Sequence, residues 1–357
     1  MMKVNLIVDL QYGSTGKGLL AGYLADITSP DVVITCNMPN AGHTYIDRSG
    51  NKMIHKVLPN GIVSPGLRYV MIGPGAVIDL DQLEKEIKQA REFGYLIGTP
   101  ILIHPGVTIL MDDHKQVERE NLNAISSTMQ GSMTAMIHKM ARCPTDNPTI
   151  KVLCGEKGSG GIVGYDGAIV VIDHGTWARI IDEAHLIQAE GSQGFSLGIN
   201  QVFYPYCTSR ECTPYRLMSD MGLPTIKGDN LKIHGTLRTY PIRVGNTEGG
   251  YSGGCYPDQS EVSWEGLGVV PEKTTVTQRV RRIFTFSRFQ LADALRECRP
   301  DHLFLNFCNY MDERSLGILV EDIETMANMY GARISHLGYG PTVDDVVEYH
   351  HADSRQT

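Results

Sequence analysis

Apolar residues recur along the chain in short blocks that are separated by glycine-rich or polar segments. The first block, residues 4–10 (VNLIVDL), has the length of a buried β-strand and is followed by a glycine-rich loop, residues 13–18 (GSTGKG). Apolar side chains then recur at helical spacing, at positions 19, 20, 23 and 24, which is typical of a helix that begins directly after the loop. The pattern therefore predicts a strand, a tight loop and a helix in succession.

The remaining blocks repeat this alternation. Short apolar runs bounded by turn residues predict further strands, and charged stretches with apolar residues every three or four positions predict helices. Residues 37–44 (NMPNAGHT) are expected to form a loop throughout. The other predicted strands cover residues 31–35, 69–72, 101–103, 168–172, 185–189, 303–307 and 332–336, and the predicted helices cover 80–93, 177–184 and 289–296, with a helix, loop and helix over 118–140.

Strands that alternate with helices indicate an α/β fold with a central, mainly parallel sheet flanked by helices. No change of composition marks a boundary, so we expect a single large domain over residues 1–357. Several predicted strands end in loops that carry polar residues and glycines, and in an open parallel sheet such loops meet at the carboxyl edge. A ligand site is therefore expected at this edge.

The composition is typical of a soluble globular protein, with 42% hydrophobic and 20% charged residues. A formal net charge of −8 argues against a general nucleic-acid-binding protein. No apolar run reaches membrane-spanning length, and the N-terminus lacks the layout of a signal peptide. The eight cysteines contain no CxxC pair, which is typical of reduced thiols in the cytoplasm. We therefore expect a cytoplasmic protein that binds neither nucleic acid nor membranes.

The glycine loop has the chemistry of an anion-binding site. Backbone N–H groups at the start of a helix, together with the helix dipole, favour a phosphate, and Lys17 would neutralise its charge. The loop departs from the common phosphate-binding motif, which would place a glycine at Gln11 and a serine or threonine at Gly18. An ordinary glycine turn between strand and helix is the alternative that these residues leave open.

A second candidate site is the only dense basic cluster, residues 274–282 (TTVTQRVRR). Three arginines after a run of threonines suit a carboxylate or a phosphate, whereas a solvated surface is the alternative. Residues 190–194 (EGSQG) add a strand-to-loop transition in which glycines present a polar side chain. Both segments are candidates for the ligand site at the sheet edge.

In combination, these segments resemble the adenylosuccinate synthetase family. The matches run from one end of the chain to the other in the family's order, and NAGHT and EGxQG are specific motifs. The resemblance therefore implies the P-loop-NTPase-like α/β fold of that family. The family's GDEGKGK, NAGHT, EGAQG, YPYVTS, TTGRRRR and TKLD motifs and its late glycine–proline turn correspond, in this order, to residues 13–19, 40–44, 190–194, 204–209, 277–282, 306–309 and 340–341.

The resemblance implies a carbon–nitrogen ligase with a two-step reaction. A nucleoside triphosphate with Mg²⁺ phosphorylates the 6-oxygen of a purine monophosphate, and the amine of aspartate then displaces that phosphate. His43 is implied as the general acid, Lys17 as a ligand of phosphoryl oxygens and Gln193 as a ligand of the 6-oxygen. Mg²⁺ would be held by the Gly42 carbonyl and by Ser14. The predicted catalytic residues are thus Ser14, Lys17, His43 and Gln193.

The same resemblance implies three groups of binding residues. Arg142 is expected to reach the 5′-phosphate of the nucleotide from the other subunit of a homodimer. The purine monophosphate site would comprise Ser14, Thr15, Gly16, Lys17, Asn40, Ala41, Gly42, His43, Ser127, Thr128, Arg142, Gln193, Thr208, Val244 and Arg279. The phosphoryl donor would contact Gly13, Thr15, Gly16, Lys17, Gly18, Leu19, Gly42, His43, Thr44, Arg281, Phe307, Asn309, Gly338, Tyr339 and Gly340. L-Aspartate would contact Thr275, Val276, Thr277, Gln278, Arg279 and Arg281.

The first departure from the family pattern concerns the acceptor. The family's catalytic aspartate, which accepts the hydrogen on purine N1, is Ser14 here, and a neutral hydroxyl is not a strong general base at pH 7. Three explanations stay open: the protein is inactive, its general base lies elsewhere in the site, or its substrate is not IMP. A 2-amino group beside N1 would crowd an aspartate, whereas serine leaves room, which favours dGMP or GMP. A phage branch of the family uses dGMP in this way to make the precursor of diaminopurine, and this chain resembles that branch.

The second departure is Asn309, which replaces the aspartate that reads guanine in GTP. An amide offers both a donor and an acceptor and can pair with an adenine edge, so we expect ATP or dATP as the phosphoryl donor. Phe307 replaces the lysine of the same motif and could stack on any base. Two alternatives stay open: an ordinary adenylosuccinate synthetase that uses IMP with GTP or ATP, and a nucleotide-binding protein without catalytic activity.

Overall fold

A ten-stranded sheet forms the centre of the computed structural model, which describes residues 2–157, 167–274 and 277–350. The strands are short, and most of their residues are buried. In chain order they are β1 (Lys3–Asp9), β2 (Val32–Thr35), β3 (His43–Ile46), β4 (Lys52–His55), β5 (Tyr69–Ile72), β6 (Val77–Ile78), β7 (Ile101–Ile103), β8 (Thr108–Ile109), β9 (Ile169–Val171), β10 (Leu186–Glu190), β11 (Leu231–Arg238), β12 (Ile242–Arg243), β13 (Glu261–Val262), β14 (Arg282–Phe284), β15 (His302–Asn306), β16 (Arg333–Gly338) and β17 (Val346–Glu348).

Helices connect these strands. Several begin at a side chain that caps the first turn, as Asp79, Asp173, Ser287 and Asp312 do. In chain order the helices are α1 (Lys17–Thr28), α2 (Leu80–Glu92), α3 (Asp112–Asn121), α4 (Ser132–Ala141), α5 (His174–Glu183), α6 (Pro214–Asp220), α7 (Arg288–Cys298) and α8 (Glu313–Asn328).

The strand order of the central sheet is β17-β16-β15-β11-β1-β10-β2-β5-β7-β9. Every neighbouring pair is parallel except β16 and β17, which are antiparallel. The predicted α/β class and mainly parallel sheet are therefore confirmed. The single domain over residues 1–357 stays a prediction.

Strand β1 lies inside the sheet, between β10 and β11, and is covered on both faces. Leu6 and Val8 belong to the apolar core that also contains residues of α5, α7 and α8, whereas Ile7 belongs to the core on the other face, with α1 and α2. Alternate side chains of a strand point to opposite faces of a sheet. An uninterrupted apolar run is therefore the expected sequence of a strand that is buried on both sides.

Two predictions about local structure are wrong. His43 and Thr44, expected in a loop, begin strand β3, which pairs in antiparallel register with β4. The side chains of Tyr45 and Met53, in this hairpin, are buried, and this packing outweighs the loop-forming residues that precede them. Phe307, expected at the end of a strand, follows β15 in a left-handed conformation with φ of 61°, so the chain turns away from the sheet at that residue.

The strand order brings the predicted loops together. Strands β15, β11, β1, β10 and β2 are neighbours, and their carboxyl ends lie at the same edge of the sheet. The glycine loop follows β1, residues 191–194 follow β10, and residues 36–42 follow β2. Among the described residues, no helix is long and apolar enough to cross a membrane.

Candidate active site

A cavity of about 590 Å³ lies at the carboxyl edge of the central strands. Its volume is in the range of ordinary ligand pockets. Most of the predicted site residues line it, namely Gly13, Ser14, Gly16, Lys17, Gly18, Asn40, Ala41, Gly42, His43, Thr44, Ser127, Thr128, Gln193, Thr208, Val244, Gln278, Arg281 and Phe307. The wall also contains residues that the sequence did not single out as site residues, among them Tyr12, Lys52, Ser126, Arg243, Glu272 and Lys273.

Other predicted residues lie outside the cavity wall. Thr15 and Leu19 are buried in the glycine loop and the first turn of α1. Arg142, at the C-terminal end of α4, is exposed, as are Asn309 and Tyr339. Gly338, Gly340, Thr277 and Arg279 are not part of the wall either, and Thr275 and Val276 lie outside the described residues.

The conformation of the glycine loop is fixed by hydrogen bonds to Asp9, a residue that the sequence analysis did not identify. Asp9 is the last residue of β1, and its carboxylate accepts hydrogen bonds from the backbone N–H groups of Gln11 (2.9 Å), Gly13 (3.1 Å) and Thr15 (3.3 Å). It also accepts from the Thr15 hydroxyl (2.5 Å) and from Lys17 Nζ (3.2 Å). Two loop amides that we expected to face a phosphate, those of Gly13 and Thr15, are thus already bound to a carboxylate.

The amides that are available to a phosphate are those of the first turn of α1. Helical N–H groups at this end have no partner within the helix, and Lys17, Gly18 and Leu19 occupy these positions. The Lys17 ammonium lies beside them, where it donates to the Gln193 carbonyl at 2.7 Å. Phosphate binding is therefore expected at the helix end and at Lys17 rather than inside the whole loop.

Gly18 explains one departure from the common phosphate-binding motif. A Cβ atom at this position would lie 2.7 Å from the Thr44 carbonyl oxygen, which belongs to strand β3. The β3–β4 hairpin therefore packs so closely on the start of α1 that serine or threonine is excluded at this position.

His43 begins strand β3 and lies in the cavity wall with a side chain that is almost fully buried. Burial, followed by the positive charges of Lys17, His55 and Arg210, lowers the pKa of His43 to about 3. The imidazole of the ligand-free protein is therefore neutral at pH 7. It can donate one N–H to a phosphoryl or purine oxygen, but it is not an imidazolium before a ligand binds.

Gln193 is held in a network of side chains between β10 and β2. It adopts a left-handed conformation with φ of 60°, and its Nε2 donates to Asn40 Oδ1 at 2.8 Å. Its Oε1 accepts from Arg210 Nε at 3.2 Å and from the Ser192 hydroxyl at 3.0 Å. One N–H of Nε2 has no role in these bonds and is free to meet a ligand in the cavity.

Arg210 is a second residue that the sequence analysis missed. Its side chain is 1% exposed and also donates to the Cys36 carbonyl at 2.9 Å and to the Ser192 hydroxyl at 2.6 Å. The fork of a guanidinium can satisfy several acceptors at fixed angles. Arg210 therefore orients the Gln193 amide and joins the loops that follow β2 and β10.

Ser14 is the exposed member of the glycine loop and adopts a left-handed conformation with φ of 58°. Ser14 lines the cavity, and its carbonyl accepts from Arg238 Nη1 at 3.1 Å. Ser14 is therefore exposed at the cavity and is fixed through its backbone.

The basic cluster divides into two parts. Arg281 lines the cavity, and burial lowers its pKa to about 10 against the opposing effect of Glu272. Arg279 instead donates to the carbonyls of Ser126 (3.1 Å), Ser127 (2.9 Å) and Gly245 (3.3 Å). Arg281 is therefore the arginine placed to meet an anionic ligand, whereas Arg279 fixes the loop that carries Ser127.

The fold and this cavity are those of a nucleotide-binding α/β protein, with the N-terminus of a helix opening onto the cavity at the centre of a parallel sheet. Residues 6–147 match the family model for adenylosuccinate synthetase. The chain is 48% identical over 351 residues to N6-succino-2-amino-2′-deoxyadenylate synthase of Vibrio phage phiVC8. The aligned region covers 97% of this chain and 98% of the phage protein. The chain belongs to the adenylosuccinate synthetase family, as its motifs predict.

Two solved structures extend the comparison. Succinoaminodeoxyadenylate synthetase of cyanophage S-2L, bound to dGMP and to dATP as an energy donor, superimposes with a TM-score of 0.87 at 38% identity, covering 98% of this chain and 95% of that one. Fully ligated adenylosuccinate synthetase of Plasmodium falciparum gives a TM-score of 0.73 at 18% identity, covering 98% of this chain and 100% of that one. The second likeness concerns the fold alone.

Proposed function

We propose that the protein is a ligase that joins the amine of L-aspartate to the 6-position of dGMP or GMP, with ATP or dATP as the phosphoryl donor. The product is 2-amino-N6-succino-adenylate or its 2′-deoxy form, a precursor of diaminopurine nucleotides. The observation that carries the proposal is Ser14 in the cavity wall, within a site that retains Lys17, His43 and Gln193. The likeness to the two phage synthetases supports the same substrates.

In the first step the purine 6-oxygen attacks the γ-phosphorus of the donor, the bond between the γ-phosphorus and the β-phosphate oxygen breaks, and ADP or dADP leaves. The N1 proton of the purine passes to water. Lys17 and the first amides of α1 bind the phosphoryl oxygens, where positive charge stabilises the transition state. The neutral imidazole of His43 donates an N–H to the transferring group. The free N–H of Gln193 Nε2 binds the 6-oxygen, because the rest of its amide is held by Asn40 and Arg210.

In the second step the aspartate amine attacks C6 and gives up a proton to water, the C6–O bond breaks, and the 6-phosphate leaves as inorganic phosphate. A phosphate is a far better leaving group than the original oxygen, so the first step makes the second possible. The carboxylates of aspartate bind near Arg281 and Gln278, in the cavity wall. Thr275, Val276 and Thr277 complete this loop in the proposal, whereas Arg279 contributes by holding the neighbouring carbonyls.

The acceptor preference follows from size and charge at position 14. Serine is shorter than aspartate and neutral, so a purine 2-amino group can lie beside it without a clash. The hydroxyl can also accept one hydrogen bond from that amine. Hypoxanthine has no 2-amino group to make this contact, which disfavours IMP.

Mg²⁺ fits the site as a partner of the donor phosphates. Among the described residues, no group of three or more His, Cys, Asp or Glu side chains could hold a metal ion. Mg²⁺ usually takes one or two protein ligands and completes its shell with phosphates and water. The Gly42 carbonyl and the Ser14 hydroxyl suit this role, and the ion would neutralise phosphate charge during transfer.

A homodimer is part of the proposal. Arg142 lies at the exposed end of α4, outside the cavity of its own chain, so that a second copy would have to bring it to the 5′-phosphate. The nucleotide substrates and the phage origin of the relatives support a reaction in the host cytoplasm.

The proposal is tested by incubating the protein with Mg²⁺, aspartate and dATP, and with dGMP, GMP or IMP as acceptor. Mass spectrometry should detect the succinyl product from dGMP or GMP, together with one phosphate per product. Turnover of IMP without turnover of either guanine nucleotide would favour an ordinary adenylosuccinate synthetase. Nucleotide binding without turnover of any acceptor would favour a protein that has lost catalysis.

A further inference from the structure

One buried guanidinium, that of Arg238 at the end of β11, joins three parts of the site. Its side chain is 0% exposed. Nη1 donates to the Ser14 carbonyl at 3.1 Å, and the two terminal nitrogens bind the Glu272 carboxylate at 2.5 Å and 3.3 Å. Its central carbon lies 3.8 Å from the centroid of the Phe307 ring. The plane of one side chain thus contacts the glycine loop, the segment before the basic cluster and the turn after β15.

The position of Phe307 is fixed by two contacts, and we call its ring the platform. Its carbonyl accepts from the Thr239 hydroxyl at 2.8 Å, and the guanidinium of Arg238 covers its ring. A cation over an aromatic face is attracted by the ring electrons. Phe307 also lines the cavity and is only partly buried, and the Tyr310 ring meets it edge-on at 5.3 Å between centroids, so a ligand in the cavity can reach Phe307. Stacking of this kind suits a nucleobase and does not depend on its identity.

Glu272 extends the same unit towards the aspartate-binding loop. Its carboxylate also accepts from the Tyr310 hydroxyl at 3.0 Å, and its carbonyl accepts from the backbone N–H of Arg281 at 2.9 Å. Both Glu272 and Arg281 lie in the cavity wall. Because a guanidinium fork fixes the angles of all its bonds, a shift of Phe307 or of Glu272 would be passed to the Ser14 carbonyl.

We infer that Arg238 and Glu272 form a positioning unit that couples the donor base to the acceptor. A donor that stacks on Phe307 holds the guanidinium in place and thereby fixes Ser14, so that donor binding strengthens acceptor binding. The inference rests on the proposed function for the identity of the two ligands. Arg238 and Glu272 are positioning residues, because they act through Phe307 and Ser14.

The test measures the dissociation constant of dGMP by calorimetry, with Mg²⁺, in the absence and presence of saturating β,γ-imido-dATP. In the wild-type protein the donor analogue should lower this constant at least about fivefold, the usual lower range of coupling between sites. In Arg238→Lys and Glu272→Gln the change should fall below about twofold, and the double variant should match the single ones. A purely structural role would lower the melting temperature without removing the coupling.

Two further variants keep the result decisive. Phe307→Leu removes the platform without touching the buried pair, and it should also abolish the coupling even if the Arg238 variants do not fold. Arg282→Lys is the matched control, because Arg282 likewise pairs with a carboxylate, that of Glu261 (2.6 Å), and lies over an aromatic ring, that of Tyr251 (5.0 Å), but is not part of the cavity wall; its coupling should stay as in the wild type. The inference is overturned if wild-type protein shows no coupling, or if Phe307→Leu retains it. Failure of dGMP to bind while IMP binds would refute the proposed function instead, and the same titrations with IMP would then test the coupling.

Discussion

Replacement of Asp9 by asparagine tests how much the hydrogen bonds and the ion pair of the Asp9 carboxylate contribute to stability. The Asp9 carboxylate holds three backbone amides, one hydroxyl and the Lys17 ammonium. Asparagine has nearly the same shape but replaces one oxygen with an NH₂ group. If the amide oxygen serves Gln11 and Gly13, the NH₂ group faces three donors, on Thr15 and Lys17. The variant therefore removes an ion pair and adds a donor–donor conflict without changing the volume.

The expected cost follows from burial. The side chains of Lys17 and Asp9 are 7% and 0% exposed, and removal of one partner of a buried ion pair costs about 3–5 kcal/mol. We expect a loss near the lower limit, about 3 kcal/mol, because Lys17 keeps its bond to the Gln193 carbonyl. A large domain loses about 2 °C of melting temperature for each kcal/mol, so the fall should be roughly 6 °C.

Nucleotide should restore part of this loss, because a bound phosphate gives Lys17 a new counter-charge. The assay is thermal unfolding of wild type and Asp9→Asn with and without dATP and Mg²⁺, and the ligand-induced rise should be larger in the variant. Asp47→Asn is the matched control, since Asp47 accepts from the N–H groups of Ser49 and Asn51 in the turn between β3 and β4, outside the cavity. A loss below about 1 kcal/mol in Asp9→Asn, or equal stabilisation of both proteins by dATP, would refute the reasoning.

Other substitutions test single contacts. Ser14→Asp should raise the KM for dGMP through crowding at the 2-amino group, and unchanged dGMP kinetics would remove the size argument. Asn309→Asp should shift donor preference towards GTP; an unchanged ratio of kcat/KM for ATP and GTP would assign donor recognition to stacking alone. Arg210→Lys should lower kcat/KM for the acceptor by about 10- to 100-fold, because misplacement of Gln193 has a cost of that order, with little change in the KM for ATP. Burial raises the pKa of Glu190 from 4.5 to about 7, so the folded protein retains a proton that the unfolded chain has released. The free energy of unfolding should therefore fall as pH rises from about 4.5 to about 7, and Glu190→Gln should flatten this slope in denaturant titrations.

The apolar runs predicted most strands of the central sheet, but not β11, which lies beside β1. Its sequence, LKIHGTLR, places polar residues in a strand that is largely buried. Their partners come from distant parts of the chain: the Thr236 hydroxyl donates to the Val8 carbonyl, and Arg238 pairs with Glu272. A local hydrophobic pattern does not reveal burial of this kind, because the compensating groups are far away in sequence.

The motifs predicted much of the cavity wall, including Lys17, His43 and Gln193, but not the residues that orient them. Asp9 had a recognisable signal, since it is an acidic residue in an apolar run that leads into a glycine loop. Arg210 had none, because a single arginine after residues 204–209 can equally lie on a surface. Its function became visible only when the fold placed it between Cys36 and Gln193.

The most direct test of the central proposal is an internal competition between dGMP and IMP, present together at equal concentration with aspartate, Mg²⁺ and limiting dATP. The ratio of the two succinyl products gives the ratio of kcat/KM without separate rate measurements. A site that places Ser14 beside the purine 2-amino group should favour dGMP by at least about tenfold. A ratio near one, or a preference for IMP, would contradict the assignment of Ser14 as the residue that selects the acceptor.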